Sequence, residues 1–176
     1  FTAFYPGPGV GGHCIPVDPF YLTWKAREYN YHTRLIELAG EINNYMPEFV
    51  LERVMKILNN RGMTLKGTAI LQLGLAYKQD IDDIRQSPAF EVFKLLKNNG
   101  ADIQYNDPYL KEIEYKSNLF YSIELGKKEL KKAELLIITT NHSYYDYDFI
   151  QENSKLIFDT KNAMAEVKNR DNIILL

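Results

Sequence analysis

The chain has 176 residues, of which 45% are hydrophobic and 25% charged, with a formal net charge of −2. That balance belongs to a folded domain, excludes a disordered chain, and leaves no basic surplus that would attract nucleic acid. One cysteine excludes an internal disulfide, no apolar run is long enough to span a bilayer, and no signal peptide opens the chain; a cytoplasmic protein without a membrane partner is expected.

The first zone, residues 1–20, is rich in glycine and proline. Gly7, Gly9, Gly11 and Gly12 fall within Pro6-Gly7-Pro8-Gly9-Val10-Gly11-Gly12-His13-Cys14-Ile15-Pro16-Val17-Asp18. Glycines at this density let backbone N–H groups approach a ligand with no side chain in the way. A lone cysteine is ordinarily a small buried hydrophobe. Here Cys14 follows the loop directly and Asp18 lies four residues on, which is the layout of a positioned nucleophile with a carboxylate at hand. The chain opens on Phe1-Thr2-Ala3-Phe4-Tyr5 without a methionine, immediately before this loop, and reads as the C-terminal portion of a longer protein.

From about Phe20 to Asn60 the pattern is helical. Leu35, Ile36, Leu38, Ala39 and Ile42 form one apolar face, and Phe49, Val50, Val54, Met55, Ile57 and Leu58 form another. Met46-Pro47 between them predicts a kink or a fresh helix start, and Asn59-Asn60-Arg61-Gly62 a stop. Two apolar faces are more than one small domain covers, so residues 20–60 are expected to form a homodimer contact.

Beyond Lys66 strands and helices alternate. The spacing predicts strands over 68–77, 102–106, 135–140, 155–159 and 172–176. Helices are predicted from Ser87-Pro88 to Leu96, over 122–132, and over 144–152. Strands apolar throughout, separated by helix-length segments, indicate an α/β doubly wound parallel sheet, with ligands at the C-terminal ends of its strands. The first strand ends at Gly74-Leu75-Ala76-Tyr77-Lys78, which places Lys78 where a phosphate would sit. No G-x-G-x-x-G follows that strand, and Gly7-Pro8-Gly9-Val10-Gly11-Gly12 lacks the strand before it and the helix after it that a dinucleotide fingerprint needs.

Four segments together resemble one family. Gly7 to Pro19 resembles the active-site segment of the UDP-glucose/GDP-mannose dehydrogenases. Lys66 to Lys78, followed by Asp82-Asp83-Ile84-Arg85-Gln86-Ser87-Pro88, resembles the opening of that family's C-terminal domain. Asn106-Asp107-Pro108 and Asp159-Thr160-Lys161-Asn162 fall where its short motifs recur. The run from His13 to Ala26 is similar to the branch acting on UDP-N-acetylhexosamines, with UDP-N-acetylglucosamine the expected substrate and UDP-N-acetylmannosamine or UDP-glucose the alternatives. UDP-glucose dehydrogenases more often carry Phe-Pro-Lys-Asp after the cysteine, and Val17 stands here in place of that lysine.

The resemblance implies NAD-dependent oxidation of the sugar C6 alcohol to a carboxylate, for surface polysaccharide precursors, through a thioester on Cys14. Asp18 would assist proton movement, and Lys78 would contact the substrate from the C-terminal domain. The backbone amides of Gly9, Gly11 and Gly12 would wrap the sugar nucleotide. Lys161 falls where relatives carry an arginine and would meet substrate. Tyr5 and Tyr77 either stack on uracil or sugar or pack in the core. Arg85 either contacts the cofactor or pairs with the neighbouring aspartates. His13 beside the nucleophile is a conceivable base, but adjacent side chains usually point apart. Asp80, Asp82 and Asp83 suit turns and helix starts better than a metal. By the same resemblance residues 1–60 are the end of a central domain, residues 61–176 a UDP-sugar-binding domain, and a Rossmann-like NAD domain would precede Phe1. The competing reading is a non-catalytic sugar-nucleotide-binding and dimerisation module, which has no reason to keep Cys14 beside Asp18.

Overall fold

The computed structural model describes residues 5–176. Residues 1–4, on which the expectation about the chain's opening rests, lie outside the described residues. Helix α1 (Asp18–Arg27) begins with Asp18 and Pro19 in its first turn and ends on Lys25 and Arg27, charges that complement the helix dipole. Helix α2 (Arg34–Asn59) then runs 26 residues.

No fresh helix start occurs at Met46-Pro47. Pro47 is buried inside α2, and the helix passes through it. Proline there removes the N–H that would bond the carbonyl of Asn43, but burial of Val50, Leu51, Val54, Ile57 and Leu58 on the following turns holds the helix together. The actual interruption of the helical zone lies between α1 and α2, around Asn30 in left-handed conformation (φ 56°). The two helices touch where Phe20 meets Gly40: a Cβ at Gly40 would lie 2.4 Å from the Phe20 ring.

The sheet is built from β1 (Ala69–Leu73), β2 (Asp102–Asn106), β5 (Leu135–Ile138), β6 (Ile157–Asp159) and β7 (Ile173–Leu175). Its order is β2-β1-β5-β6-β7 and every neighbouring pair is parallel. Side chains alternate between two cores, as a sheet covered on both faces requires. Ile70, Ile103, Tyr105, Leu135, Ile137 and Phe158 face α2 and α3 (Pro88–Asn98). Leu71, Leu73, Leu136, Ile138 and Ile157 face the side of α4 (Lys127–Lys132) and α5 (Tyr147–Asn153), with Leu130, Ile150, Met164 and Val167. The expected doubly wound α/β fold is what forms.

Local chemistry sets the boundaries. The Ser87 hydroxyl oxygen accepts from Phe90 N (3.4 Å) to cap α3, while its O–H donates to the Leu75 carbonyl (2.6 Å). Gly100, in left-handed conformation (φ 86°), ends the same helix. The hairpin of β3 (Glu112–Tyr115) and β4 (Asn118–Tyr121) is an element the sequence pattern did not announce. Its two-residue turn, Lys116-Ser117, holds both residues at positive φ without the Asn-Gly that usually marks such a turn. The hairpin lays Ile113 and Phe120 over the α3 core, and the helix expected from Ser122 begins only at Lys127. No helix of the described residues is long and apolar enough to cross a membrane.

Candidate active site

After β1 the chain turns to one side of the sheet to make β2, and β5 returns on the other side of β1. The switch point therefore lies between the C-terminal ends of β1 and β5, where open α/β sheets leave a crevice. A cleft of about 1010 Å³ occupies it. Its floor comes from the segments after β1 (Ala76 to Gln79), β5 (Thr139 to Asn141) and β6 (Asp159 to Asn162); the glycine loop, Tyr5 to Ile15, forms its other wall.

Tyr5, Gly9, Gly11, Gly12, Cys14, Tyr77, Lys78 and Lys161 all line this one cleft. Asp18 and Arg85 are not among its lining residues. Asp18 lies in the first turn of α1, exposed, with its N–H donating to the Cys14 carbonyl (2.8 Å), as does Val17 N–H (3.0 Å). That turn fixes the spacing between thiol and carboxylate. Cys14 is a free, exposed cysteine.

The glycines are needed for contact with the protein itself. A Cβ on Gly11 would lie 2.5 Å from the Gln86 carbonyl, 2.7 Å from Pro88 Cδ and 2.8 Å from Tyr77 Cβ. One on Gly12 would lie 3.0 Å from the Tyr77 ring, and Gly9 and Gly12 both have positive φ. The loop thus seats flush on Tyr77 and the start of α3, closing one side of the cleft. Asn43 on α2 holds it there: its side-chain oxygen accepts Val10 N–H (2.7 Å) and its amide donates to the Val10 carbonyl (3.1 Å). This residue escaped the sequence reading because its partner is 33 positions away.

Lys161 reaches from the end of β6 towards the loop, its Nζ 3.2 Å from where a Gly7 Cβ would be. Burial lowers its pKa below the ordinary lysine value, opposed by the charge of Asp159. Asp159 is buried and accepts the N–H groups of Lys161 and Met164, each at 2.9 Å, which shapes the segment after β6. Under the floor, Gln72 donates to the Ala89 carbonyl (2.8 Å) and Thr139 Oγ1 (2.7 Å), and Thr140 donates to the Ala76 carbonyl (2.6 Å). These bonds lock α3, β1 and β5 together at the switch point.

His13 does not address Cys14. Its Nε2 is 3.2 Å from Asp83 Oδ2, and its ring meets Tyr77 edge-on. Arg85 also pairs with Asp83, Nη2 to Oδ2 at 2.9 Å. Arg85, with a smaller contribution from His13, holds the Asp83 carboxyl well below the usual carboxylate range. No cluster of His, Cys, Asp or Glu able to hold a metal occurs among the described residues. The cleft therefore combines one thiol, two lysines and a rigid floor.

Comparison with known proteins places this arrangement. Residues 71–166 match the UDP-binding domain of the UDP-glucose/GDP-mannose dehydrogenase family, and residues 1–45 its central domain. The chain is 33% identical over 170 residues to Protein CapL of Staphylococcus aureus, covering 93% of this chain and 39% of that protein. It is 34% identical over 165 residues to the UDP-N-acetyl-D-mannosamine dehydrogenase of Methanocaldococcus jannaschii, covering 94% of this chain and 34% of the relative. The solved UDP-D-ManNAc dehydrogenase of Pyrococcus horikoshii superposes with a TM-score of 0.79 at 27% identity, over 99% of this chain and 40% of that one. The chain thus spans well under half the length of these relatives.

Proposed function

The chain belongs to the UDP-glucose/GDP-mannose dehydrogenase family, and from that premise we propose that its protein oxidises the C6 hydroxyl of a UDP-N-acetylhexosamine to the uronate, with Cys14 as nucleophile. The observation that carries this reading is one cleft at the switch point whose lining includes Cys14, Lys78 and Lys161. A thiol and two cations about one pocket suit a substrate with an oxidisable carbon at one end and a diphosphate at the other.

In this reading Lys78 and Lys161 meet the diphosphate, and Tyr5 and Tyr77 offer rings to the uracil or sugar. Oxidation of the alcohol first gives an aldehyde. The Cys14 thiolate adds to that carbon, forming a C–S bond and a tetrahedral thiohemiacetal, which can lose a second hydride where the aldehyde cannot. The resulting thioester is attacked by water; the C–S bond breaks, the carboxylate leaves, and the thiolate is regenerated. The family resemblance gives the proton of that water to Asp18, which is one turn along from Cys14 though outside the cleft lining. NAD, bound as two successive equivalents, would accept one hydride in each of the two oxidations. The segment after β1 does not carry the dinucleotide fingerprint, so no residue of this cleft is assigned to NAD.

The resemblance carried by the residues after Cys14 favours UDP-N-acetylglucosamine, whereas the Methanocaldococcus jannaschii and Pyrococcus horikoshii relatives are UDP-N-acetyl-D-mannosamine dehydrogenases. The shared chemistry is a UDP-N-acetylhexosamine. Residues 1–60 are read as the end of a central domain and 61–176 as the UDP-sugar-binding domain. The exposed apolar side chains Leu35, Leu38 and Ile42 on the first half of α2 support a homodimer contact. Cys14 as a free thiol nucleophile suits a reducing, cytoplasmic location. The test is NAD reduction by the full-length protein against a panel of UDP-N-acetylglucosamine, UDP-N-acetylmannosamine, UDP-N-acetylgalactosamine and UDP-glucose. Turnover of an N-acetylhexosamine supports the reading. Turnover of UDP-glucose alone overturns the substrate class, and none with any sugar overturns the dehydrogenase assignment.

A further inference from the structure

Residues 75–80, which follow β1 and carry Tyr77 and Lys78, have no regular secondary structure, yet both ends of this stretch are fastened. At its start, the N–H groups of Leu75 (2.7 Å) and Ala76 (3.2 Å) donate to Asp107 Oδ2. At its far end, Asp80 N–H donates to His142 Nδ1 (2.9 Å). The two fasteners are bonded to each other: His142 Nε2 lies 3.1 Å from Asp107 Oδ2. Because Nδ1 accepts the Asp80 N–H, the ring proton sits on Nε2 and faces the carboxylate.

Both groups are wholly buried, and neither lines the cleft. Burial works against the Asp107 charge, but the bonds from His142 and Leu75 N–H outweigh it and keep the carboxyl below its ordinary value. Its other oxygen accepts the N–H groups of Tyr109 (2.9 Å) and Leu110 (3.1 Å), so this carboxylate is rigidly placed after β2. His142 is placed after β5 and flanked by the rings of Tyr109 and Tyr145, at 5.0 and 5.8 Å. Asp80 itself stands at φ 59°, in the left-handed region that non-glycine residues adopt mainly where surroundings fix it. Ser143 N–H (2.8 Å) and the Tyr109 hydroxyl (3.4 Å) donate to its carboxylate and complete that fixing.

We infer that Asp107 and His142 are positioning residues for the sugar-nucleotide site, a buried pair that pins residues 75–80 at both ends and thereby sets Tyr77 and Lys78 against the ligand. The inference rests on the reading of Lys78 as a UDP-sugar contact. A flexible segment would lose binding energy in ordering its lysine; a pinned one has met that cost in folding. Only the combination of three strand ends supplies the parts: β1 the segment, β2 the carboxylate, β5 the imidazole.

Two substitutions separate the two ends. In His142→Gln the longer amide can donate to Asp107 but offers nothing to Asp80 N–H. In His142→Asn the amide oxygen stands near the Nδ1 position and accepts Asp80 N–H without reaching Asp107. Amide hydrogen exchange in the full-length protein should quicken at Asp80 in the Gln variant and stay protected there in the Asn variant. Loss of one such bond should raise the Kd for UDP and the KM for the UDP-sugar about 2- to 12-fold in the Gln variant, with kcat changed far less. The Asn variant should restore most of that binding.

Unchanged exchange at Asp80 in the Gln variant overturns the inference, as do equal binding losses in the two variants, which would indicate bulk packing. Should the Gln variant fail to fold, exchange in the wild type decides instead: Asp80 and Leu75 amides protected as strongly as those of β1 support the pinning, and exchange there at the rate of an exposed loop overturns it. Quicker exchange at Asp80 with UDP affinity unmoved overturns the role in ligand binding while the dehydrogenase reading stands on the sugar panel. Conversely, a wild-type protein inactive on every sugar nucleotide removes that reading, and UDP affinity in the two variants still tests the pinning.

Discussion

Replacing Gly11 by alanine should disable the site while leaving the fold intact. The added methyl would lie 2.5 Å from a backbone carbonyl oxygen, 2.7 Å from a proline ring carbon and 2.8 Å from a tyrosine Cβ. None of these is the far end of a flexible side chain, so the loop itself must lift. Forcing one extra carbon into a close-packed contact costs about 1–3 kcal/mol, roughly a 5- to 150-fold change in an equilibrium. Cys14 is three residues on in the same loop, so that factor should appear as a fall in kcat/KM for UDP-sugar in the full-length protein. Asn43 opposes the lifting with its two bonds to Val10, and Asn43→Ala combined with Gly11→Ala should lose little more than Gly11→Ala alone. Gly62→Ala is the control. Nothing lies within 4 Å of its added carbon, but its φ of 68° strains an alanine by about 1–2 kcal/mol. It should lower Tm by a few degrees and leave kcat/KM alone. A Gly11→Ala enzyme as active as wild type would refute the argument that the loop must seat flush for the thiol to act.

Lys78→Ala should raise the KM for UDP-sugar with little change in the KM for NAD, since lost ground-state binding appears in KM; equal effects on both would count against its assignment. Lys161, whose pKa burial lowers, should lose its charge at a lower pH than an ordinary lysine, so UDP affinity should weaken early as pH rises. Lys161→Arg keeps its charge and should remove that early limb from a plot of UDP Kd against pH; an unchanged plot would exclude Lys161 as its source. On α2, Ile42 is 55% exposed and Val50 is 0% exposed. Ile42→Asp should yield folded monomer in sedimentation, whereas Val50→Asp should fail to fold, because Val50 belongs to the core beneath the sheet and not to a free face.

Val50 marks the limit of what periodicity can say. The spacing of Val50, Val54, Ile57 and Leu58 announced an apolar face, but only the tertiary structure reveals that this half of α2 is covered by α3 and the sheet while the half bearing Leu35 and Ile42 is bare. Strand positions were more legible. Leu135 to Ile138 is apolar at every position because both faces are covered, and such a run reads as a buried parallel strand without further help. The hairpin at 112–121 was silent because its turn uses Lys116 and Ser117 in place of glycine. At the site, candidates whose signal is local were legible, a thiol after glycines and a lysine after a strand, and both line the cleft. The fasteners Asn43 and His142 were not, and Asp107 was read only as part of a short motif, since these residues meet partners 31 to 62 positions away or work through backbone groups that no side-chain pattern discloses. The glycines were located correctly, yet the close approach they permit is to Gln86, Pro88 and Tyr77, which a ligand-centred reading could not foresee.

The most direct test of the central claim is uronate formation by the full-length protein with Cys14 replaced by serine. The lining of one cleft by Cys14, Lys78 and Lys161 predicts that wild type converts a UDP-N-acetylhexosamine to the uronate and that Cys14→Ser makes none, while still binding UDP with wild-type affinity because the lysines are untouched. Uronate from the serine enzyme at close to the wild-type rate would contradict the account, since oxidation would then proceed without the thioester that gives Cys14 its role.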